Sequence, residues 1–205
     1  MISVIMPSCL GAYKSAAKDR DKKIVRAINS VCKQTYKNWE LIIIADGCNK
    51  TVDIVQEIVD LYSKFQIKVL YIDKQPIWSG VVRNTGLDAA KGDYCCYLDI
   101  DDAFAPDHLE GLAPFTKKDW YWFDDYIWNG KEFRHRRCNI NKPGQCGTSS
   151  ILHKRDFARW DTKGTYAHDW IFIKNLKQTR NYESKDNYIK AGRYLVCHIP
   201  GKFDI

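Results

Sequence analysis

The hydrophobic positions in the first hundred residues alternate between two spacings. Ser3 to Met6 is a short apolar strand stopped by Pro7, which lacks a backbone donor. From Asp21 to Gln34, Ile24, Ala27, Ile28, Val31 and Cys32 recur at helical spacing, which predicts a helix with Asp21 as a possible cap. Glu40 to Ala45 holds an unbroken apolar run, Leu41-Ile42-Ile43-Ile44-Ala45, the mark of a strand buried on both faces. Thr51 to Tyr62 reads as helix, Lys68 to Ile72 as strand, Gly80 to Ala90 as helix and Tyr94 to Leu98 as strand. This alternation predicts an open, mixed but mostly parallel α/β sheet flanked by helices, with right-handed crossovers. Ligands then bind beyond the carboxyl ends of the strands. Pro7-Ser8, Asp46-Gly47 and Asp99 to Asp102 all stand at such ends and are expected to share one crevice.

After about Pro114 the regularity fades. Trp120 to Trp128 and Lys131 to Arg137 predict a hairpin around Asn129-Gly130, a strong turn signal. Cys138 to Thr148 reads as loop, Ser149 to His153 as a return to the sheet, and His168 to Leu176 as a short helix.

The length, 205 residues, suits one domain with a full core. An apolar content of 45%, with seven Trp, twelve Tyr and eight Phe, excludes a disordered chain. The formal charge of +7 is scattered, which suits phosphate-bearing small molecules as well as nucleic acid, and no nucleic-acid-binding signature accompanies it. Nucleic acid is therefore not an expected partner. Eight cysteines contain no C-x-x-C pair, several lie in apolar patterns, and no run approaches about twenty apolar residues. A reduced, cytoplasmic protein without a transmembrane segment is the expectation.

The chemistry concentrates in Leu98-Asp99-Ile100-Asp101-Asp102, where a buried strand delivers three aspartates. Carboxylates this close resist ionising together unless a cation joins them. A divalent ion, Mg²⁺ or Mn²⁺, held by one or two carboxylates and shared with a phosphate-bearing substrate, accounts for the cluster. The plainer account is helix capping, which serves one or two of these aspartates.

The order of pieces resembles family 2 glycosyltransferases, nucleotide-sugar enzymes with the GT-A fold. The pieces are Ser3-Val4-Ile5-Met6-Pro7-Ser8, Ala27-Ile28-Asn29-Ser30-Val31 with Gln34-Thr35-Tyr36, and Asn38 to Ile43 leading to Ala45-Asp46-Gly47. Arg83-Asn84-Thr85-Gly86-Leu87, Ala90 to Tyr94 and the DXD-type segment Leu98 to Asp102 with Pro106 to Leu109 follow. The resemblance implies one GT-A domain over 1–205, with a nucleotide-binding half (1–102) and an acceptor-binding half (103–205). It implies that Pro7, Ser8, Asp46 and Arg83 meet the nucleotide, with Tyr13 supplying an aromatic for the base. Asp101 then meets ribose or sugar and, with Asp102, the metal, and His198 is a further candidate ligand, with Lys202 near phosphate. Asp169, in His168-Asp169-Trp170, takes the place of the family's general base, with His168 standing where a Glu is usual. Ala45 replaces the first of two usual aspartates, and Ser8-Cys9-Leu10 replaces a Tyr-Asn pair.

What this implies is a metal-dependent, inverting glycosyltransferase of hexosyl or glucuronosyl type. It moves a sugar from a nucleotide sugar, UDP-linked by preference, to a glycan or other hydroxyl acceptor. A sugar nucleotidyltransferase is the nearer rival, although Gly11 and Lys14 make a sparse phosphate loop. A non-catalytic carbohydrate- or nucleic-acid-binding protein is the other, resting on Trp120 to Phe123 and Arg134 to Arg137. The same residues, in the enzyme reading, lie near the acceptor.

Overall fold

A computed structural model describes residues 1–11, 18–114 and 117–178, and the backbone of residues 188–196. Tyr13, His198 and Lys202 lie outside the described residues. The alternating pattern becomes β1 (Ile2–Ser8), α1 (Arg20–Cys32), β2 (Trp39–Asp46), α2 (Asn49–Leu61), β3 (Ile67–Ile72), α3 (Gly80–Ala89) and β4 (Tyr94–Tyr97). Then come β5 (Ala103–Phe104), α4 (His108–Leu112), β6 (Trp120–Trp128), β7 (Phe133–Arg136), β8 (Ile151–Lys154), α5 (His168–Lys177) and β9 (Tyr188–Val196). One nine-stranded sheet runs β3-β2-β1-β4-β8-β6-β9-β5, with β7 on β6. The first four strands pair in parallel, whereas β8 joins β4 antiparallel and begins a mixed second half.

The apolar run of β2 is legible residue by residue. Leu41 and Ile43 join Val4 and Met6 in a core covered by Ile24, Ile28 and Val31 of α1 and Val55 of α2. Ile42 and Ile44 turn to the other face with Ile5, where Val82 and Leu87 of α3 and Phe172 of α5 cover them. Period-two alternation with helices on both sides leaves no polar position in the middle of the strand. Gly86 lets α3 lie close on this face, since a Cβ there would stand 2.5 Å from an Ile5 methyl.

Several expectations change. Asp21 is not the cap of α1: the helix begins at Arg20, and Asp19 holds the cap position in left-handed geometry (φ 52°) without a side-chain bond. Trp120 and Trp122 are buried in the core between β4 and α5, because their strand is interior to the sheet, so they offer no acceptor surface. Cys138 and Cys146 form a disulfide, while Cys32, Cys48, Cys95 and Cys96 are buried thiols and Cys9 is half-buried. The strand β9, unread in the sequence, lies parallel to β6 and antiparallel to β5.

Glu40 is a buried carboxylate at the amino end of the sheet. It accepts from Ser3 Oγ (2.6 Å) and from the backbone N–H groups of Lys91 (2.5 Å) and Gly92 (3.2 Å), with Lys68 3.6 Å away. Burial acts to raise its pKa, but Ser3, the two amides and Lys68 outweigh burial and hold it below the ordinary glutamate value. Glu40→Ala strands the Ser3 hydroxyl and the Lys91 N–H and leaves the Gly92 N–H with Ser3 Oγ alone, so it is expected to lower stability by about 3 kcal/mol in denaturant unfolding. A loss under about 0.5 kcal/mol would show that water replaces the carboxylate.

His153 and His108 are fully buried. Tyr97 Oη lies 2.7 Å from His153 Nε2 and the Lys154 carbonyl 2.7 Å from Nδ1, which suits a neutral ring protonated on Nδ1. Burial pushes the pKa of His153 down to about 4 and that of His108 to about 3. The unfolded chain therefore binds more protons below about pH 6.5, and stability falls as pH drops from there towards the folded values. Each histidine is expected to cost about 2 kcal/mol between pH 7 and pH 5. Denaturant midpoints that stay flat over that range would refute this.

Candidate functional site

Beyond the carboxyl ends of β1, β2 and β4 lies a cavity of about 630 Å³. Pro7, Ser8, Asp46, Arg83, Asp101, Asp102 and Asp169 all line it, so seven of the nine expected site residues meet there. Its walls come from both halves of the sequence, since Thr148, His168 and Asp169 join residues from β1 to the acidic turn.

The side of the cavity beyond β2 is shaped by tight turns. Asp46 ends β2, and Gly47 adopts φ 61° while a Cβ on it would lie 2.6 Å from Lys74 Cβ, so only glycine fits. Asp46 is already engaged, through Oδ2 to Lys74 Nζ (2.5 Å) and through Oδ1 from the Gln75 N–H (2.6 Å). Its remaining lone pairs can still accept a ligand donor. Ser8 Oγ lies 2.8 Å from Thr51 Oγ1, tying β1 to the first turn of α2, and the Arg20 guanidinium gathers the carbonyls of Cys9, Leu10 and Gly11.

The acidic turn is held from behind by one stripe of α1. Arg26 Nη2 donates to the Asp101 carbonyl (2.6 Å), Ser30 Oγ accepts from the Phe104 N–H (3.0 Å), and Gln34 Nε2 donates to the Ala105 carbonyl (2.7 Å). Gln34 Oε1 also accepts from the Leu109 N–H (2.8 Å). These residues, at i, i+4 and i+8, make one polar row on an otherwise apolar face and fix the backbone that carries Asp101 and Asp102.

Arg83 comes from α3, whose cap Ser79 accepts from the Val81 N–H (3.2 Å). Only 7% of Arg83 is exposed, its guanidinium lies over Trp160 (4.9 Å), and its ion pair to Asp99 is long at 3.5 Å. Arg83 Nε is buried and makes no hydrogen bond. A buried guanidinium with a spare donor in a cavity invites an anion. Asp99 faces it, and its carboxyl is raised above the ordinary value by burial, with Asp101 and Asp169 adding to the shift and Arg83 opposing it.

Asp169 sits in the first turn of α5 and does not cap it: Ala167 holds the cap position. Its Oδ1 receives Thr148 Oγ1 and lies 2.8 Å from His168 Nε2, while Oδ2 carries neither contact. Burial acts to raise its pKa, but His168, Arg83 and Thr148 together hold it below the ordinary aspartate value. The group is therefore ionised at neutral pH and able to accept a proton. Trp170 is half-buried and off the cavity. Lys74, Trp78 and Thr148 line the cavity and were not legible as site residues. An apolar Ile77-Trp78 pair in a loop was the available signal for one of them; Thr148 had none.

Among the described residues no group of three or more His, Cys, Asp or Glu converges to hold an ion alone. Asp101 and Asp102 are nevertheless a suitable pair for Mg²⁺ or Mn²⁺, which are commonly held by one or two carboxylates, with waters and substrate phosphates completing the shell. None of the helices among the described residues is long and apolar enough to cross a membrane.

Comparison with known proteins agrees with this arrangement. Residues 3–180 match the family model described as glycosyl transferase family 2. The glycosyltransferase GlyA of Streptococcus pneumoniae is 33% identical over 87 residues, covering 42% of this chain and 12% of that protein. Staphylococcus aureus TarS 1-349 in complex with UDP-GlcNAc superposes with a TM-score of 0.68 at 18% identity, over 100% of this chain and 59% of the other. The mannosyltransferase PcManGT of Pyrobaculum calidifontis, in complex with GDP-Man and Mn²⁺, gives 0.69 at 12% identity, over 97% and 57%. The chain spans less than two thirds of the length of the first curated relatives it matches. At these identities the solved structures establish the fold, and the family match establishes more: the chain belongs to glycosyl transferase family 2.

Proposed function

We propose that the chain is a metal-dependent, inverting glycosyltransferase that uses a UDP-linked sugar and a hydroxyl acceptor, a glycan above all. The observation that carries this reading is Arg83, a buried cation with an unused donor in the same cavity as Asp101, Asp102 and Asp169. A diphosphate in that cavity pairs with the Arg83 guanidinium. UDP is favoured because Asp46, which lines the same cavity, has the acceptor that uracil N3–H requires. The structural neighbours solved in complex with UDP-GlcNAc and with GDP-Man and Mn²⁺ support a nucleotide-sugar donor and a divalent ion.

In this reading residues 1–102 bind the donor and 103–205 the acceptor. Asp101 and Asp102 hold Mn²⁺ or Mg²⁺, which supplies positive charge to the leaving diphosphate. Arg83 orients that diphosphate through its planar fork. The acceptor oxygen attacks the anomeric carbon, the bond from that carbon to the diphosphate oxygen breaks, and the acceptor proton passes to Asp169 Oδ2. Thr148 and His168 hold Oδ1 and so aim the other oxygen. Asp169 is the only carboxylate among the described cavity residues of the second half, which favours direct displacement with one base. A cytoplasmic location is supported by five free cysteines among those described, against one bridged pair.

Calorimetry with UDP, with and without Mn²⁺, tests the reading. Binding that requires Mn²⁺ and exceeds that of GDP is expected. No binding of either nucleotide under both conditions would overturn it.

A further inference from the structure

The loop from Lys74 to Ser79 contributes Lys74, Pro76, Ile77, Trp78 and Ser79 to the cavity wall. It starts on Asp46, through Lys74, and ends at α3. Near its end Trp78 adopts φ 67°, a left-handed geometry that is strained for a bulky residue. The indole is not there to fill the core. It is 40% exposed, lines the cavity, and stacks on His168 with centroids 5.4 Å apart and planes 17° from parallel. His168 in turn lies 2.8 Å from Asp169, so one imidazole separates the indole from the carboxylate. Tyr166, 86% exposed, meets the indole edge-on at 5.7 Å, and the neighbouring Ile77 is 44% exposed. Three of the five exposed large hydrophobic residues described thus gather at one rim of the cavity.

The ledge is built rather than loose. The Gly80 N–H donates to the Asp161 carbonyl (2.9 Å), the Ser79 hydroxyl reaches the Thr162 carbonyl (3.4 Å), and the Ser79 N–H closes a turn on Pro76 (3.1 Å). The loop carrying Trp78 and the segment leading to Tyr166 are therefore fastened to each other. His168 Nδ1, buried beneath the indole, makes no hydrogen bond.

We infer that Trp78, with Tyr166, forms the acceptor subsite and takes the apolar face of an acceptor pyranose ring. This rests on the nucleotide-sugar reading above. A pyranose presents axial C–H groups on one face and hydroxyls at its edge. Laid on an aromatic plane beside Asp169, it brings an edge hydroxyl towards the carboxylate. A nucleobase would also stack on an indole, but Trp78 stands at the Asp169 end of the loop, away from Asp46. The polar, carboxylate-flanked setting also favours a sugar over a purely aliphatic group.

The experiment is saturation-transfer NMR on the full chain with UDP and Mn²⁺, using methyl glycosides of glucose, galactose, mannose and N-acetylglucosamine as probes. Calorimetry of UDP runs in parallel. At least one glycoside is expected to receive saturation on the C–H groups of one face. Trp78→Ala should weaken that contact about three- to tenfold, and Trp78→Phe should restore most of it. UDP affinity should stay within about twofold, which also shows that the variant is folded. UDP binding without any glycoside contact would overturn the subsite and leave the donor reading intact. Glycoside contact indifferent to Trp78→Ala would overturn it too. An equal loss of UDP binding in Trp78→Ala would assign the indole to the donor. Absence of UDP binding in the wild type would overturn the donor reading itself, and the subsite with it.

Discussion

Asp169→Asn is expected to lower the rate of sugar transfer by about 10²–10⁴-fold while leaving UDP affinity nearly unchanged. The amide keeps the size of the carboxylate and can still accept from Thr148, so α5 has no reason to move. What it loses is the ability to take the acceptor proton. The lowered pKa gives a second readout with a definite sign. Asp169 is already ionised at neutral pH, and protonation at acid pH removes the base. Transfer should therefore fall on the acid side of the profile in the wild type, and the residual activity of Asp169→Asn should lack that limb. Activity of Asp169→Asn within tenfold of wild type would remove Asp169 as the base. Loss of UDP affinity in the same variant would instead indicate a role in holding the donor.

Asp102→Asn is expected to weaken Mn²⁺-dependent UDP binding by at least about a hundredfold, a loss that even outer-sphere changes at metal sites approach. The magnitude follows from the small donor set. In the proposed donor set of Asp101 and Asp102, one of two negative charges disappears, and among the described residues no group of three or more His, Cys, Asp or Glu converges to hold the ion. The variant should melt within a few degrees of wild type, because Arg26, Ser30 and Gln34 fix the backbone of the turn. Unchanged Mn²⁺-dependent binding would dismiss Asp102 as a ligand. Read together, the two variants separate donor from acceptor chemistry: one should abolish binding and spare the base, the other the reverse.

The four parallel strands and the helices between them were legible because local pattern and tertiary role coincide there. A strand buried on both faces must read Leu41-Ile42-Ile43-Ile44, and a helix laid on it must repeat Ile24, Ile28 and Val31. The same frame put Pro7, Ser8, Asp46, Asp101 and Asp102 at strand ends, and α3 and α5 brought Arg83 and Asp169 to them. Motif residues that looked functional proved to be supports: Gln34 braces the acidic turn, Gly86 admits α3 to the sheet, and Glu40 ties down its far end.

Where the sequence misled, the reason is that burial and side-chain partners are set by distant segments. Nothing local distinguishes Trp120 and Trp122, buried by an interior strand, from Trp78, left exposed by a left-handed turn. The Cys138–Cys146 bridge depends on a loop returning on itself, and the cap position of α1 on where the chain turns before Arg20. By itself the sequence determined the layered α/β fold and the aspartates at its strand ends, since periodicity and strand order need no knowledge of contacts. Only the tertiary structure decided that Thr148 reaches one oxygen of Asp169 and that Trp78 stacks on His168, because those contacts join residues 21 and 90 positions apart.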